Sequence, residues 1–231
     1  MNTLSVGSDA AEGNLQAARF EWDFENVAAL LPTGWQQRLI DVAKNHSMKR
    51  TLVPPHSTSR ESAEVTSLPI HCVGGKVVQH ELPWLVDLYE GKFRKIGERI
   101  RGVRLTTARD PRYAVVLNVQ FPGERYECHV DTNPVEALLY VTDLPKGTGG
   151  ELAVANNVHA RSKEEIDADC QALYPTQGEL VFFDGRRHPH YVRKLEDAEI
   201  RVAVAMNYYT DEVPEETRPA DLNEYLYGSQ A

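Results

Sequence analysis

Cysteine is scarce in this chain: Cys72, Cys128 and Cys170 are odd in number and show no C-x-x-C spacing. That excludes a disulfide framework and a thiolate zinc knuckle, and it fits a reducing, cytoplasmic setting. No apolar run approaches the ~20 residues that cross a bilayer, so no membrane segment is expected. The opening stretch, MNTLSVGSDAAEGNLQ, lacks a basic start and an apolar centre. It reads as a flexible tail over residues 1–20 rather than a secretory leader. Basic residues are outnumbered, 25 Lys and Arg against 34 Asp and Glu, which leaves a formal net charge of −9. That charge repels phosphate backbones and argues against nucleic acid as partner or substrate. What remains is ordinary globular material, 42% hydrophobic over 231 residues, enough for one well-filled domain.

Repeats and low-complexity blocks are absent as well. From Trp22 to Lys49, Val27, Leu30 and Leu31 form one apolar cluster and Trp35, Leu39 and Val42 another, at helical spacing. Pro32 and Gly34 divide this stretch. Residues 54–68 are polar and rich in Pro and Ser, a loop. Residues 82–100, LPWLVDLYEGKFRKIGERI, read as helix again. Beyond residue 102 the texture becomes that of strands: YAVVLNVQ, RYECHV, ALLYVT, ELAVA, GELVFF, YVRKL and IRVAVAMNYY, joined by turn signals such as P-G-E and KGTGG. Helices followed by short strands predict a mainly β fold with N-terminal helices packed on one sheet. The single domain would span 21–231, with helical support over 21–100, a β core over 101–210 and a C-terminal cover over 211–231.

Residues i and i+2 of a strand share a face, so His129 and Asp131 of E-C-H-V-D can aim an imidazole and a carboxylate at one point. A histidine from another strand, His188 or His190 of R-R-H-P-H-Y, would complete a two-histidine, one-carboxylate set of the kind that suits non-haem Fe(II). Alone, an H-x-D tripeptide is a weak signal. Arg201 adds to it, because it opens an otherwise apolar strand whose alternate residues are the small Ala203 and Ala205. A buried arginine needs a partner, and the carboxylate of a bound acid would serve, with the Tyr140 hydroxyl as a second anchor. If E-D-A-E makes a tight turn, residue 194 pairs with 201, and His190 then shares a face with Arg201. By the same parity Arg193 faces away. Tyr126 lies opposite His129 by alternation and reaches the pocket only through a bend. His46, His56, His71, His80 and His159 lack ligand spacing, and Asp167 and Asp169 sit in a polar connection expected to be solvated.

These residues together resemble the Fe(II)/2-oxoglutarate-dependent oxygenases, and in particular their prolyl 4-hydroxylase-like branch. The resemblance rests on His129-Val130-Asp131, Leu139-Tyr140, Gly149-Gly150-Glu151-Leu152, Gly178-Glu179-Leu180-Val181-Phe182-Phe183, Pro189-His190-Tyr191-Val192 and Arg201, over residues 110–210. It implies a double-stranded β-helix, a cupin-like jelly roll, that binds Fe(II), 2-oxoglutarate and O2, with ascorbate as a supportive reductant. Carried over, it makes His129, Asp131 and His190 the catalytic iron ligands. Arg201, Tyr140 and Tyr126 would bind the co-substrate. The register of Pro189-His190 selects His190 over His188, which would sit at the rim. Phe121 stands where the oxygen-sensing members carry a tyrosine.

The expected activity is hydroxylation of an unactivated C–H of a small molecule, an amino acid or peptide-like natural product, with release of succinate and CO2. Two alternatives stand beside it: a hydroxylase of a prolyl or other residue in a partner protein, and a metal-binding cupin-like protein without oxygenase activity. Arg201 with Tyr140 separates the last from the others, since only an oxygenase needs a dicarboxylate anchor.

Overall fold

Residues 20–228 are described in a computed structural model, and the tail expected over residues 1–20 lies, except for Phe20, outside them. The strands are β1 (Trp22–Asn26), β2 (Met48–Leu52), β3 (Leu68–Val73), β4 (Thr106–Thr107), β5 (Val115–Gln120), β6 (Val135–Tyr140), β7 (Leu152–Ala155), β8 (Cys170–Leu173), β9 (Glu179–Phe183), β10 (His190–Val192) and β11 (Arg201–Tyr209). The helices are α1 (Trp35–His46), α2 (Gly75–Glu81), α3 (Pro83–Leu88), α4 (Arg94–Arg101), α5 (Pro111–Ala114), α6 (Lys163–Ala168) and α7 (Leu222–Tyr227). A π-turn at Tyr89–Phe93 joins α3 to α4 without a break.

Eight strands form an antiparallel sheet in the order β1-β9-β6-β11-β5-β3-β2, with β4 added on β11, and three form a second sheet, β10-β7-β8. Side-chain alternation then sorts the chain into two cores. Leu117 and Val119 of β5, Leu139 of β6, Phe182 of β9 and Val202, Val204 and Met206 of β11 face the helices and pack with Leu39, Leu85 and Phe93. Their neighbours Val116, Leu138, Phe183, Ala203 and Ala205 point the other way and meet Leu152, Val154 and Val192 of the smaller sheet. All nine positions of β11 are buried because both of its faces are covered. Each fully buried aliphatic or aromatic side chain contributes roughly 1.5–3 kcal/mol to such a core. The strands form the expected double-stranded β-helix, with helices on one sheet, and its interior is where polar groups can be sequestered.

Three local expectations are corrected. RYECHV is not a strand: only His129 makes ladder bridges, to Ser59 and His190. Its backbone partners come piecemeal, from Arg60 N to Cys128 O (2.6 Å) and Val130 N to Thr58 O (3.0 Å). The Glu61 carboxylate takes the Cys128 N–H (2.7 Å) in place of a strand partner. The hairpin expected between residues 194 and 201 is absent as well. β10 pairs with β7, while β11 pairs with β5 and β6 in the other sheet. The E-D-A-E segment instead docks on the preceding turn, with Glu196 N and Asp197 N both donating to Thr148 O. Finally, the stretch read as helical from Trp22 opens with β1 and closes into β2, both peripheral strands.

Candidate active site

His129 and His190 are joined by backbone, N–H to C=O, in both directions at 2.9 Å. This two-residue bridge ties the irregular segment carrying His129 and Asp131 to β10. His129 Nδ1 lies 2.7 Å from Glu127 O and His190 Nδ1 lies 2.9 Å from His188 O. A carbonyl oxygen only accepts, so each Nδ1 carries a proton and each Nε2 is the nitrogen turned toward Asp131. Those Nε2 atoms stand 3.6 Å and 3.5 Å from the same atom, Asp131 Oδ1. Among the described residues, His129, Asp131 and His190 form the one group of metal-ligating type whose ligand atoms lie within 4.8 Å of one another. His188 is outside it: its Nδ1 is bound to Ala155 O at 2.9 Å, and its ring packs edge-on against Phe20.

Asp131 is the electrostatic centre of the cluster. Burial pushes the Asp131 carboxyl up, but the imidazoles of His190 and His129 outweigh it and hold it below the usual range. Burial likewise opposes charge on His129, and the Asp131 carboxylate overcomes it, raising the imidazole to about 9. The carboxylate thus gathers positive charge around itself. Asp131 Oδ2 is nevertheless buried with no hydrogen-bond partner. Gly185, in the D-G-R-R turn after β9, sets the height of this carboxylate. Its carbonyl receives Asp131 N–H at 3.1 Å, and a Cβ there would collide with Asp131 Oδ2 and press on His190 Cε1. Reading by motif missed Gly185, although a glycine between strand end and ligand histidine is the signal that could have drawn attention to it.

Deeper along the interior lies Arg201, 1% exposed. Its Nε donates to Gly150 O at 2.7 Å, while Nη1 is buried without a partner. No salt bridge is made by this guanidinium among the described residues, and burial depresses its pKa. The Tyr140 hydroxyl is a second buried group without a partner, and the Arg201 guanidinium carbon sits 5.8 Å from its ring centroid. Gly150 has φ +77°, and a side chain there would meet Leu144 and the Arg201 Cδ, which gives the G-G-E-L motif its local reason. Arg193 faces the outside of the smaller sheet, bridging Glu151 (3.0 Å) and Asp167 (2.9 Å). Asp167 also accepts the Tyr191 hydroxyl at 2.7 Å, so it braces the outer face rather than lying free in solvent.

Tyr126, absent from any strand, is free of strand parity and its ring lines a cavity of about 130 Å³ together with His129 and Asp131. Its hydroxyl is taken by backbone: it donates to His71 O and accepts Val119 N–H at 2.9 Å. Leu222, Leu226 and Tyr227 of α7 line the same cavity. The arrangement is therefore three side chains of metal-ligating type gathered at one point, with a buried guanidinium and a buried hydroxyl elsewhere in the same interior.

Residues 113–209 match the family model of the 2OG-Fe(II) oxygenase superfamily. They belong to that superfamily. The enzyme class is that of 2-oxoglutarate-dependent dioxygenases, which use Fe(II), 2-oxoglutarate and O2. Among solved structures, the chain is similar to an oxidoreductase of the 2OG-Fe(II) oxygenase family from Burkholderia pseudomallei, at 12% identity, TM-score 0.57 and coverage of 81% of this chain and 84% of that one. It is also similar to the non-haem alpha-ketoglutarate-dependent epimerase SnoN from nogalamycin biosynthesis, at 15% identity, TM-score 0.59 and coverage of 94% and 88%. A third is a prolyl hydroxylase from Trichoplax adhaerens in complex with a hypoxia-inducible-factor peptide fragment, at 15% identity, TM-score 0.50 and coverage of 89% of each chain. At such identities the likeness is one of fold. No curated protein matches the chain.

The residues fit the group this family uses. A divalent cation suits two inward imidazole nitrogens, where it would replace the proton that Asp131 draws onto His129, and a carboxylate oxygen without a partner among the described residues. A dicarboxylate suits Arg201 Nη1 and Tyr140 OH.

Proposed function

We propose that this oxygenase hydroxylates an unactivated C–H of a small molecule, an amino acid or a peptide-like natural product. His129, Asp131 and His190 would hold the iron, and Arg201 with Tyr140 the distal carboxylate of 2-oxoglutarate. With Fe(II), 2-oxoglutarate and O2 bound, the family's chemistry couples decarboxylation to succinate and CO2 with oxidation of a substrate C–H. The chain's own residues bind, orient and exclude water. Glu127 O and His188 O fix the two imidazoles with Nε2 inward. Arg201 would hold one carboxylate of the co-substrate, and the Tyr140 hydroxyl would donate a second hydrogen bond to it. The Tyr126 ring walls the space without offering its own hydroxyl.

One observation carries this reading: Asp131 Oδ2, Tyr140 OH and Arg201 Nη1 are buried inside one barrel with no partner. Stranding such groups in an apolar interior costs about 1–3 kcal/mol each, more for a charge, unless a ligand satisfies them. Small-molecule use is supported by the cavity beside His129, whose volume of about 130 Å³ falls below that of pockets for drug-sized ligands, roughly 300–1,000 Å³. The test is anaerobic titration of 2-oxoglutarate into Fe(II)-loaded protein, following the metal-to-ligand charge-transfer band. A saturating one-to-one band is expected, absent in His190→Ala. A wild-type protein that binds iron but gives no band would refute the reading.

A further inference from the structure

Two enclosed acids of this fold are matched with cations, Glu61 with Arg125 at 2.6 Å and Glu151 with Arg193 at 3.0 Å. Two buried acids that line the cavity make no salt bridge among the described residues: Glu127, whose Oε1 accepts the Tyr225 hydroxyl at 2.5 Å, and Glu136. Glu136 projects from the inner face of β6, beside Asn207 of β11 and Phe183 of β9, and is 8% exposed. Its Oε2 accepts from Asn133 Nδ2 at 2.9 Å, and no salt bridge reaches it among the described residues. Burial, and after it the Asp131 carboxylate, push its pKa well above the ordinary glutamate range.

Arg218 lines the same cavity and makes no salt bridge among the described residues. Its guanidinium donates to Asn223 Oδ1 at 2.8 and 3.1 Å and to Thr132 Oγ1 at 3.4 Å, and lies 3.9 Å from the Tyr113 ring centroid. A carboxyl and a guanidinium thus face one space without a salt bridge between them, and an ammonium beside Glu136 would favour its ionised form. The rest of the lining is mixed, with Leu52, Ile70, Val116 and Leu222 as apolar parts and the amides of Asn118 and Asn207 beside them.

We propose that the substrate is a small zwitterion, a free α-amino acid with an apolar side chain, whose ammonium is held by Glu136 and whose carboxylate is held by Arg218. The proposal rests on the oxygenase reading of the same cavity and narrows it. A residue inside a protein chain carries neither of these charges, so the pair favours a free monomer over a partner protein. The cavity volume, about 130 Å³, agrees.

The experiment uses protein loaded anaerobically with Fe(II) and 2-oxoglutarate. L-leucine, L-isoleucine, L-valine and L-methionine are titrated calorimetrically, each beside its N-acetyl and carboxamide derivatives. At least one free amino acid should bind, with N-acetylation and amidation each weakening it about 30-fold or more. Glu136→Gln, which keeps the Asn133 hydrogen bond, should remove the discrimination against N-acetylation. Arg218→Met should remove that against amidation. Retained 2-oxoglutarate affinity in both variants shows that the site is intact. If 2-oxoglutarate binds but no free amino acid does, or the blocked forms bind as well, the zwitterion proposal is wrong and the oxygenase reading stands. If 2-oxoglutarate fails to bind the wild type, both fall.

Discussion

His188 and His190 are two residues apart, yet they do different work because their rings answer to different carbonyls. His190→Ala should abolish stoichiometric Fe(II) binding. His188→Ala should keep the iron while lowering the melting temperature, since it loses a buried contact with Phe20 and a bond to Ala155 O. Metal analysis beside thermal unfolding separates the two outcomes. Gly185→Ala is the subtler test: a single methyl group against Asp131 Oδ2 should reduce iron affinity at least tenfold, although no ligand is removed. Arg201 makes a prediction of the opposite sign in the two states of the protein. A buried cation with an unpartnered Nη1 is a burden until an anion arrives. Arg201→Met should therefore leave the melting temperature of the ligand-free protein unchanged or raised. It should weaken 2-oxoglutarate by two or more orders of magnitude, in line with the ~3–5 kcal/mol cost of breaking a buried pair. Arg193→Ala, on the outer face, should leave 2-oxoglutarate affinity alone.

At the scale of elements, the strands that build the interior were legible because both faces are covered, which writes long apolar runs into β5, β9 and β11. The peripheral strands were not. β2, MKRTL, has one edge free and only Leu52 buried, so its composition resembles loop. β8, CQAL, follows an acidic helical turn and reads as polar connection. The segment carrying His129 and Asp131 misled in the other direction, since β-like residues are there without a ladder. Its place is held by a strap, residues 54–61, through Glu61, which bonds Arg125 and the Cys128 N–H. Burial opposes charge on Glu61, and these two partners outweigh it, so its pKa falls below the ordinary value. A depressed folded-state pKa means the stabilisation is complete above the unfolded value, near 4.5, and is lost as pH falls through the folded one. Glu61→Gln should remove about 3 kcal/mol at neutral pH. It should also flatten the acid limb of the stability profile measured by denaturant unfolding between pH 6 and 3.

The whole molecule arranges charge along the barrel axis: a guanidinium at one end of β11, and at the other a carboxyl on β6 beside Asn207, with the histidine–aspartate cluster presented from the smaller sheet and its neighbouring segment. Among the described residues no helix is long and apolar enough to cross a membrane. The H-x-D and P-H motifs pointed in the sequence to His129, Asp131 and His190, which the fold brings together. The substrate end was not readable. Glu136 and Arg218 lie eighty residues apart in ordinary surroundings, and only the fold brings both to one cavity. The hairpin expected to aim Arg201 at His190 does not form. What puts both inside is the inward face of each sheet, β10 in one and β11 in the other. The most direct measurement of the central claim is succinate formed from 2-oxoglutarate in air by the purified protein given Fe(II), compared with His190→Ala and Arg201→Met. Iron-dependent succinate from the wild type, lost in His190→Ala and restored toward wild type in Arg201→Met only at far higher 2-oxoglutarate, is the expected result. Succinate formation that is absent in the wild type, or equal in all three proteins, would contradict it.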